Sequence, residues 1–240
     1  MKKLFLLLVV LGLLAPSAFA TIIPNDPWNP VTGKEKNLYQ IWNDNYGALD
    51  TYASSAALIA DRGDYDQQTW NVSSIQSATI KAIYSGNTHE FGIYHPAGTA
   101  LPVATNQVIF ASGSPVGTTD IDIIPGQSPF GFYIQNDPVN SIKQPGVFRH
   151  SEHALNSGPG SGGQQQMWAI FVDRVLVGDM YKYTWLLAFE DLDRRVAGAD
   201  YDFNDYVVEF SYLTPIPEPA TMALLGMGLA GFALRRRFLA

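Results

Sequence analysis

The chain has no cysteine among its 240 residues, so no disulfide can brace it and no thiolate can contribute to a zinc site. Histidine is nearly as scarce, at four. His150 and His153 flank Glu152, but a His-x-x-His pair without His-Glu-x-x-His is not a zinc signature, and the two read as solvated loop histidines. There is no Gly-x-Ser-x-Gly and no phosphate-binding loop, which removes the commonest serine-hydrolase and nucleotide-binding signatures. Basic residues are few, 15 against 22 acidic, so the chain is a poor nucleic-acid binder. No repeat of fixed period is present. No apolar run reaches the ~20 residues of a comfortable membrane span.

What the chain does have is distinctive at both ends. Met1-Lys-Lys precedes an apolar core from Leu4 to Leu14, and Ala18-Phe19-Ala20 supplies a small-x-small cleavage pattern. Residues 1–20 therefore read as a secretory signal peptide. At the other end Pro217-Glu218-Pro219 is followed by an apolar segment from Ala220 to Leu234 and then Arg235-Arg236-Arg237. A helix of that length is short for a permanent span and suits a transient anchor, its arginines staying cytoplasmic by the positive-inside rule. The alternative is an ordinary single-span anchor. The order of motif, apolar segment and basic cluster resembles the PEP-CTERM sorting signal of Gram-negative bacteria. That resemblance implies processing near Pro-Glu-Pro by an exosortase-type sorting protease in the inner membrane. It also implies delivery to the cell surface or an exopolysaccharide-rich biofilm matrix, with the chain only transiently held in the inner membrane by its C-terminal helix.

Removing both ends takes away five basic residues and one acidic residue, leaving a body near −11. Such a body attracts cations and stays soluble. Thr21–Gly33 is rich in Pro, Asn and Thr and reads as extended. Glu35–Tyr46 carries Leu38, Ile41, Trp42 and Tyr46 at helical spacing, with Gly47 placed to end the turn. From about Ala56 onward the chain reads as strands: 69–72, 79–84, 90–94, 107–111, 121–124, 130–135, 147–150, 168–173, 183–190 and 206–213, separated by Gly/Pro/Asn turns. This predicts an all-β fold, a sandwich or jelly roll of about ten short strands, with one N-terminal helix and a separate C-terminal apolar helix. The divisions expected are 1–20 signal peptide, 21–55 N-terminal segment and helix, 56–214 β-sandwich, and 215–240 sorting signal. Ser157–Gly163 reads as a flexible loop inside the domain.

The most chemically loaded stretch runs from Trp185 to Phe210. Tyr183, Trp185, Leu187 and Phe189 share one strand face; Tyr206, Val208, Phe210 and Tyr212 share another. These two strands are expected to pair antiparallel, joined by a loop that holds Glu190, Asp191, Asp193, Asp200, Asp202 and Asp205. Arg194 and Arg195 offset only part of that charge. Like charges so close require a cation or many hydrogen-bond donors. A hard divalent ion with six to eight oxygen ligands, calcium, is the cofactor this favours. The start Asp200-x-Asp202-x-Asn204 is shared with EF-hand loops, but Asp205 stands where Gly is needed and Ser211 where Glu is needed, so an EF-hand is rejected. Phe189-Glu-Asp-Leu192 followed by Asp200-Tyr-Asp-Phe-Asn-Asp205 and a Val-rich strand resembles an uncharacterised β-rich domain family of exported bacterial proteins that precede PEP-CTERM tails. That resemblance implies Glu190, Asp191, Asp200, Asp202, Asn204 and Asp205 as the metal-site set. It also places His153 in a structural feature just before the last hairpin. The alternative is a metal-free loop in which the carboxylates cap backbone N–H groups and pair with the arginines.

Three functional classes remain open. The first is a non-enzymatic exported matrix or surface protein with a calcium-stabilised hairpin. The second is a binding module for extracellular polysaccharide, with Trp70, Tyr94, Tyr133 and Trp168 as stacking rings. The third is a hydrolase using Glu190, Asp202 or Asp205, for which the sequence offers no way to choose a carboxylate pair. Asp61-Arg-Gly-Asp-Tyr-Asp66 reads as a solvated turn or a minor cation site.

Overall fold

The computed structural model describes residues 35–64, 67–126, 128–156, 165–193 and 202–215. The signal peptide, the C-terminal apolar segment, the Ser157–Gly163 loop, Arg194, Arg195 and Asp200 lie outside them. Among the described residues two α-helices come first, α1 (Leu38–Tyr46) and α2 (Ser55–Arg62). Ten strands follow: β1 (Gly63–Asp64), β2 (Ile75–Ile83), β3 (His89–His95), β4 (Thr105–Phe110), β5 (Thr119–Ile123), β6 (Gly131–Asn136), β7 (Phe148–His150), β8 (Met167–Val177), β9 (Met180–Phe189) and β10 (Tyr206–Pro215). A six-stranded sheet of order β1-β8-β9-β10-β2-β5 faces a four-stranded sheet of order β4-β3-β6-β7. Every pairing is antiparallel. The fold is mostly β and sandwich-like, as the strand pattern predicts.

Strand alternation builds three packed layers. On β9, Leu187 and Phe189 point between the sheets and join Tyr206, Val208 and Phe210 of β10 and Phe91, Ile93, Phe132 and Ile134 of the facing sheet. Burying each such side chain stabilises by about 1.5–3 kcal/mol. Leu186, Ala188 and Val207, one position out of phase, point the other way, where they meet Leu38, Ile41, Trp42, Leu58 and Ile59 of the two helices. The helices thus roof the outer face of the six-stranded sheet. Tyr94 and Tyr133 pack with Leu101 and Ala104 on the outer face of the smaller sheet.

α1 begins with a reciprocal cap. Gln40 N donates to Asn37 Oδ1 at 2.9 Å and Asn37 N to Gln40 Oε1 at 3.0 Å, which satisfies two otherwise unpaired donors. Its buried face is Leu38, Ile41, Trp42 and Tyr46, the residues whose spacing predicts it. Tyr46 donates its hydroxyl proton to Glu209 on β10, and Lys81 of β2 completes the link at 3.2 Å from Glu209.

Four expectations are corrected. Residues 55–62 form α2, a second helix where the sequence predicts only one in the body. Ser54 Oγ accepts from Ala57 N at 3.2 Å to cap it, and the alanine-rich run favours helix. Thr69–Val72 is not a strand; only Trp70 bridges Phe130, through mutual backbone bonds of 2.9 and 3.0 Å. The Asp61–Asp64 stretch is not a solvated turn. Arg62 ends α2 and donates through Nε to Tyr52 Oη at 2.7 Å, through Nη1 to the Val172 carbonyl at 3.3 Å and through Nη2 to Asp50, while Gly63 and Asp64 pair with β8. His150 is not solvated. It is buried, accepts from Leu101 N at Nε2 (3.1 Å), and has its pKa lowered to about 4, chiefly by burial and also by neighbouring Arg149, although Asn156 opposes the shift.

Candidate metal centre

β9 and β10 pair in register from Phe189↔Tyr206 to Met180↔Pro215, so the chain leaves β9 at Glu190 and re-enters β10 after Asp205. The closure of this hairpin brings Glu190, Asp191 and Asp205 together. Each offers a carboxylate oxygen, and the three oxygens lie within 4.8 Å of one another. Glu190 and Asp191 are buried and Asp205 is partly buried. Glu190 N donates to the Gln166 carbonyl at 3.0 Å, fixing where β9 ends.

Asp191 is the most heavily held of the three. Its Oδ2 accepts from Asn87 Nδ2 at 2.8 Å, lies 2.9 Å from His89 Nε2, and also accepts from Ser85 Oγ. Its carbonyl accepts from Arg149 Nε at 3.1 Å and Asn136 Nδ2 at 3.3 Å. Its N–H donates to Asp205 Oδ2 at 2.9 Å. These partners come from the end of β2, from β3, from β6 and from β7. Asp191 therefore joins the end of a strand of the large sheet to three strands of the small one. Burial alone raises a carboxyl pKa, but hydrogen bonds from His89 and Ser85, the nearby His89 and the bond from Asn87 outweigh it, and the Asp191 carboxyl is held below its ordinary range.

Asp205 goes the other way. Burial, then repulsion from Glu190 and Asp191 and from Asp202, push it well above the ordinary 3.8, against the Asp191 N–H that favours the anion. A cleft of about 180 Å³ runs past all three carboxylates, with Glu35 and Lys143 also in its wall.

The remaining members of the expected set are arranged differently. Asp202 and Asn204 bond to each other: Asn204 N donates to Asp202 Oδ1 at 3.2 Å and Asn204 Nδ2 to Asp202 Oδ2 at 2.6 Å. Asn204 Nδ2 also reaches the Lys36 carbonyl at 3.0 Å, tying the loop to the start of the helical layer. Phe203 between them has φ +58, a left-handed conformation that a bulky residue adopts only when its surroundings enforce it. Its ring is buried edge-on to Trp168 at 6.1 Å. Of the six residues expected, three converge, two brace the loop, and Asp200 lies outside the described residues.

Of the supporting residues, Ser85 and Asn87 read in the sequence only as a turn, and His89 falls just before the strand expected at 90–94. Ser85 and Asn87 lie in the turn between β2 and β3, where Asn87 N donates to Ser85 Oγ at 2.9 Å, so no strand period marks them. Arg149 and Gln144 carry no signal either. Arg149 Nη2 donates to Gln144 Oε1, which also accepts from Asp193 N at 3.2 Å.

The expected polysaccharide platform is absent. Trp70, Tyr94, Tyr133 and Trp168 are all at most 3% exposed. Two of their hydroxyls are spent internally, Tyr94 on Glu152 at 2.6 Å and Tyr133 on Glu90 at 2.7 Å. No ring of the four can stack on a sugar.

Among the described residues, no helix is long and apolar enough to cross a membrane. No curated protein and no solved structure matches the chain. Residues 215–237, beginning at the last residue of β10, match the PEP-CTERM protein-sorting motif, so the chain carries at its C-terminus a signal for export and membrane-associated sorting, of the kind exosortase recognises.

Proposed function

We propose that this is a non-enzymatic exported protein of the cell surface or biofilm matrix, whose terminal hairpin is clasped by calcium bound at Glu190, Asp191 and Asp205. The observation that carries the reading is the convergence of three carboxylate oxygens within 4.8 Å. Ligands at the 2.3–2.6 Å typical of calcium lie up to roughly 5 Å apart, so the spacing fits one hard cation. The donor set fits as well: all oxygen, no sulfur, and Asp191 oriented by bonds to one of its oxygens, leaving the other for an ion. Bound calcium would neutralise the repulsion that raises the Asp205 pKa.

The consequence is linkage. An ion that binds only the folded state adds stability that grows with its concentration, about 2.7 kcal/mol at a hundred times the dissociation constant. For a domain of this size that raises Tm by roughly 5–10 °C. Before export, where free calcium is scarce, the clasp would stay loose; outside, it would close. A calcium titration of the melting temperature tests this. An upward shift at millimolar calcium, absent with an equal ionic strength of sodium, is expected; a flat response rejects the metal. The hydrolase alternative, which rests on the same carboxylates, predicts polysaccharide cleavage abolished by Asp202→Asn. The Asp202–Asn204 bonding favours a structural role for that residue instead.

A further inference from the structure

β8, β9 and β10 outrun the sheet they belong to. β2 leaves β10 at Ser77↔Ser211, and β1 covers β8 only at Ala169 and Ile170. Past those points the three strands continue as a ribbon that ends at Val177↔Met180↔Pro215. Gly178, at φ +60, and Asp179 close the β8–β9 turn, a two-residue connection that needs a residue tolerant of positive φ. Near this turn Val175, Leu176 and Val177 are 48%, 54% and 45% exposed. Alternation sends the two valines to one face and the leucine to the other, so the ribbon shows aliphatic side chains on both faces and turns neither into a core. Three consecutive exposed aliphatics in a strand are costly unless something covers them. Around them lie the half-buried Tyr181, Tyr183 and Tyr212, with Arg174 over the Tyr181 ring at 5.0 Å.

The covalent chain indicates what lies there. The sorting motif begins at Pro215, level with the hairpin turn by register. The apolar segment starts at Ala220, five residues on, so at most about 18 Å of chain separates the ribbon end from it. Aliphatic side chains, tyrosines and long basic residues such as Arg174 and Lys182 are what a membrane interface accommodates. The acidic cluster sits at the other end of β9, roughly 30 Å away at ~3.4 Å per residue. That is several Debye lengths from anything at the ribbon end, so the densest negative charge of an acidic body is kept from anionic headgroups. Asp173 and Asp179 are the acids near the ribbon end, and Asp179 at the turn keeps the contact in the headgroup layer and out of the hydrocarbon.

We propose that the ribbon end formed by Val175–Val177 and Tyr181 is a membrane-surface contact, resting on phospholipid headgroups of the membrane that holds the C-terminal segment. It would hold Pro217–Pro219 close to the bilayer, where a membrane protease reaches it. The inference rests on the sorting reading of the tail, and the test separates the two.

The absence of cysteine allows a single Val177→Cys in the full chain to carry an environment-sensitive fluorophore. Val139→Cys is the control: Val139 is 85% exposed and follows β6 at the acidic end. Both are reconstituted into phosphatidylethanolamine/phosphatidylglycerol vesicles containing a headgroup quencher. Carbonate extraction first reports whether the tail is inserted. With the tail inserted, quenching at 177 is expected to exceed that at 139 several-fold. Equal quenching at both positions overturns the contact and leaves the sorting reading intact, whereas extraction of the chain by carbonate overturns the sorting reading itself. A signal at 177 that scales with protein density and not with lipid assigns the surface to a second copy of the chain and also overturns the proposal.

Discussion

Asp191 and Asp205 are one hydrogen bond apart, 2.9 Å from amide to carboxylate, and their carboxyl pKa values are shifted in opposite directions. Asp191 is held low by His89, Ser85 and Asn87 despite its burial. The stability it contributes is present above the ordinary carboxylate pKa and lost as pH falls through its depressed value. Asp205 is raised by burial and by Glu190 and Asp191. Its contribution is fully present below 3.8 and lost as pH rises through its folded value, because the unfolded chain ionises first. Asp205→Asn removes the charge while keeping an oxygen able to accept from the Asp191 N–H. In chelator, the Tm of Asp205→Asn minus that of the wild type is expected to grow as pH rises from 4 to 8. In calcium the wild type is expected to recover and the variant not to respond. A difference independent of pH would show that Asp205 carries no such strain.

The β9–β10 pairing, the face assignments on both strands and the helical face of α1 were all legible in the sequence, because each depends on a period carried by neighbouring residues. α2 was not. Its apolar stripe is a single turn, Leu58 and Ile59, and the run Ala56–Ala60 has no period to separate helix from strand. The partners of Asp191 were illegible for another reason: Ser85, Asn87 and His89 lie about a hundred residues away, and only the packing of one sheet on the other selects them. The helices also bear on how the chain divides. A boundary near residue 55 is the sequence expectation, yet Leu38, Trp42 and Leu58 share one core with Trp168, Leu186 and Val207. Leu58→Ala, at a position with no exposure, is expected to cost about 2–5 kcal/mol. It should lower the urea midpoint of tryptophan fluorescence and of far-UV circular dichroism together. Separate transitions would make the helices an appendage to an independently stable sandwich.

Across the whole molecule the two ends of β9 have opposite characters. One end gathers buried carboxylates between the sheets; the other exposes aliphatics beside the sorting signal. The acidic end matters beyond its own loop, because Asp191 receives bonds from Asn87 and His89, from Asn136 of β6 and from Arg149 of β7. An ion held by Asp191 is therefore coupled to strands on both sides of the core. Hydrogen exchange with and without calcium reads this directly. Protection is expected to rise at Glu190–Asp193 and Asp202–Asp205, and also at His89, Asn136 and Arg149. The turn at Gly178, roughly 30 Å from the cluster, should not change. His89→Ala is expected to reduce the gain on β3 while leaving it at Asn136 and Arg149, whose bonds go to the Asp191 carbonyl. Protection limited to the hairpin in the wild type would mean that the clasp stiffens one loop and leaves the sandwich as it was.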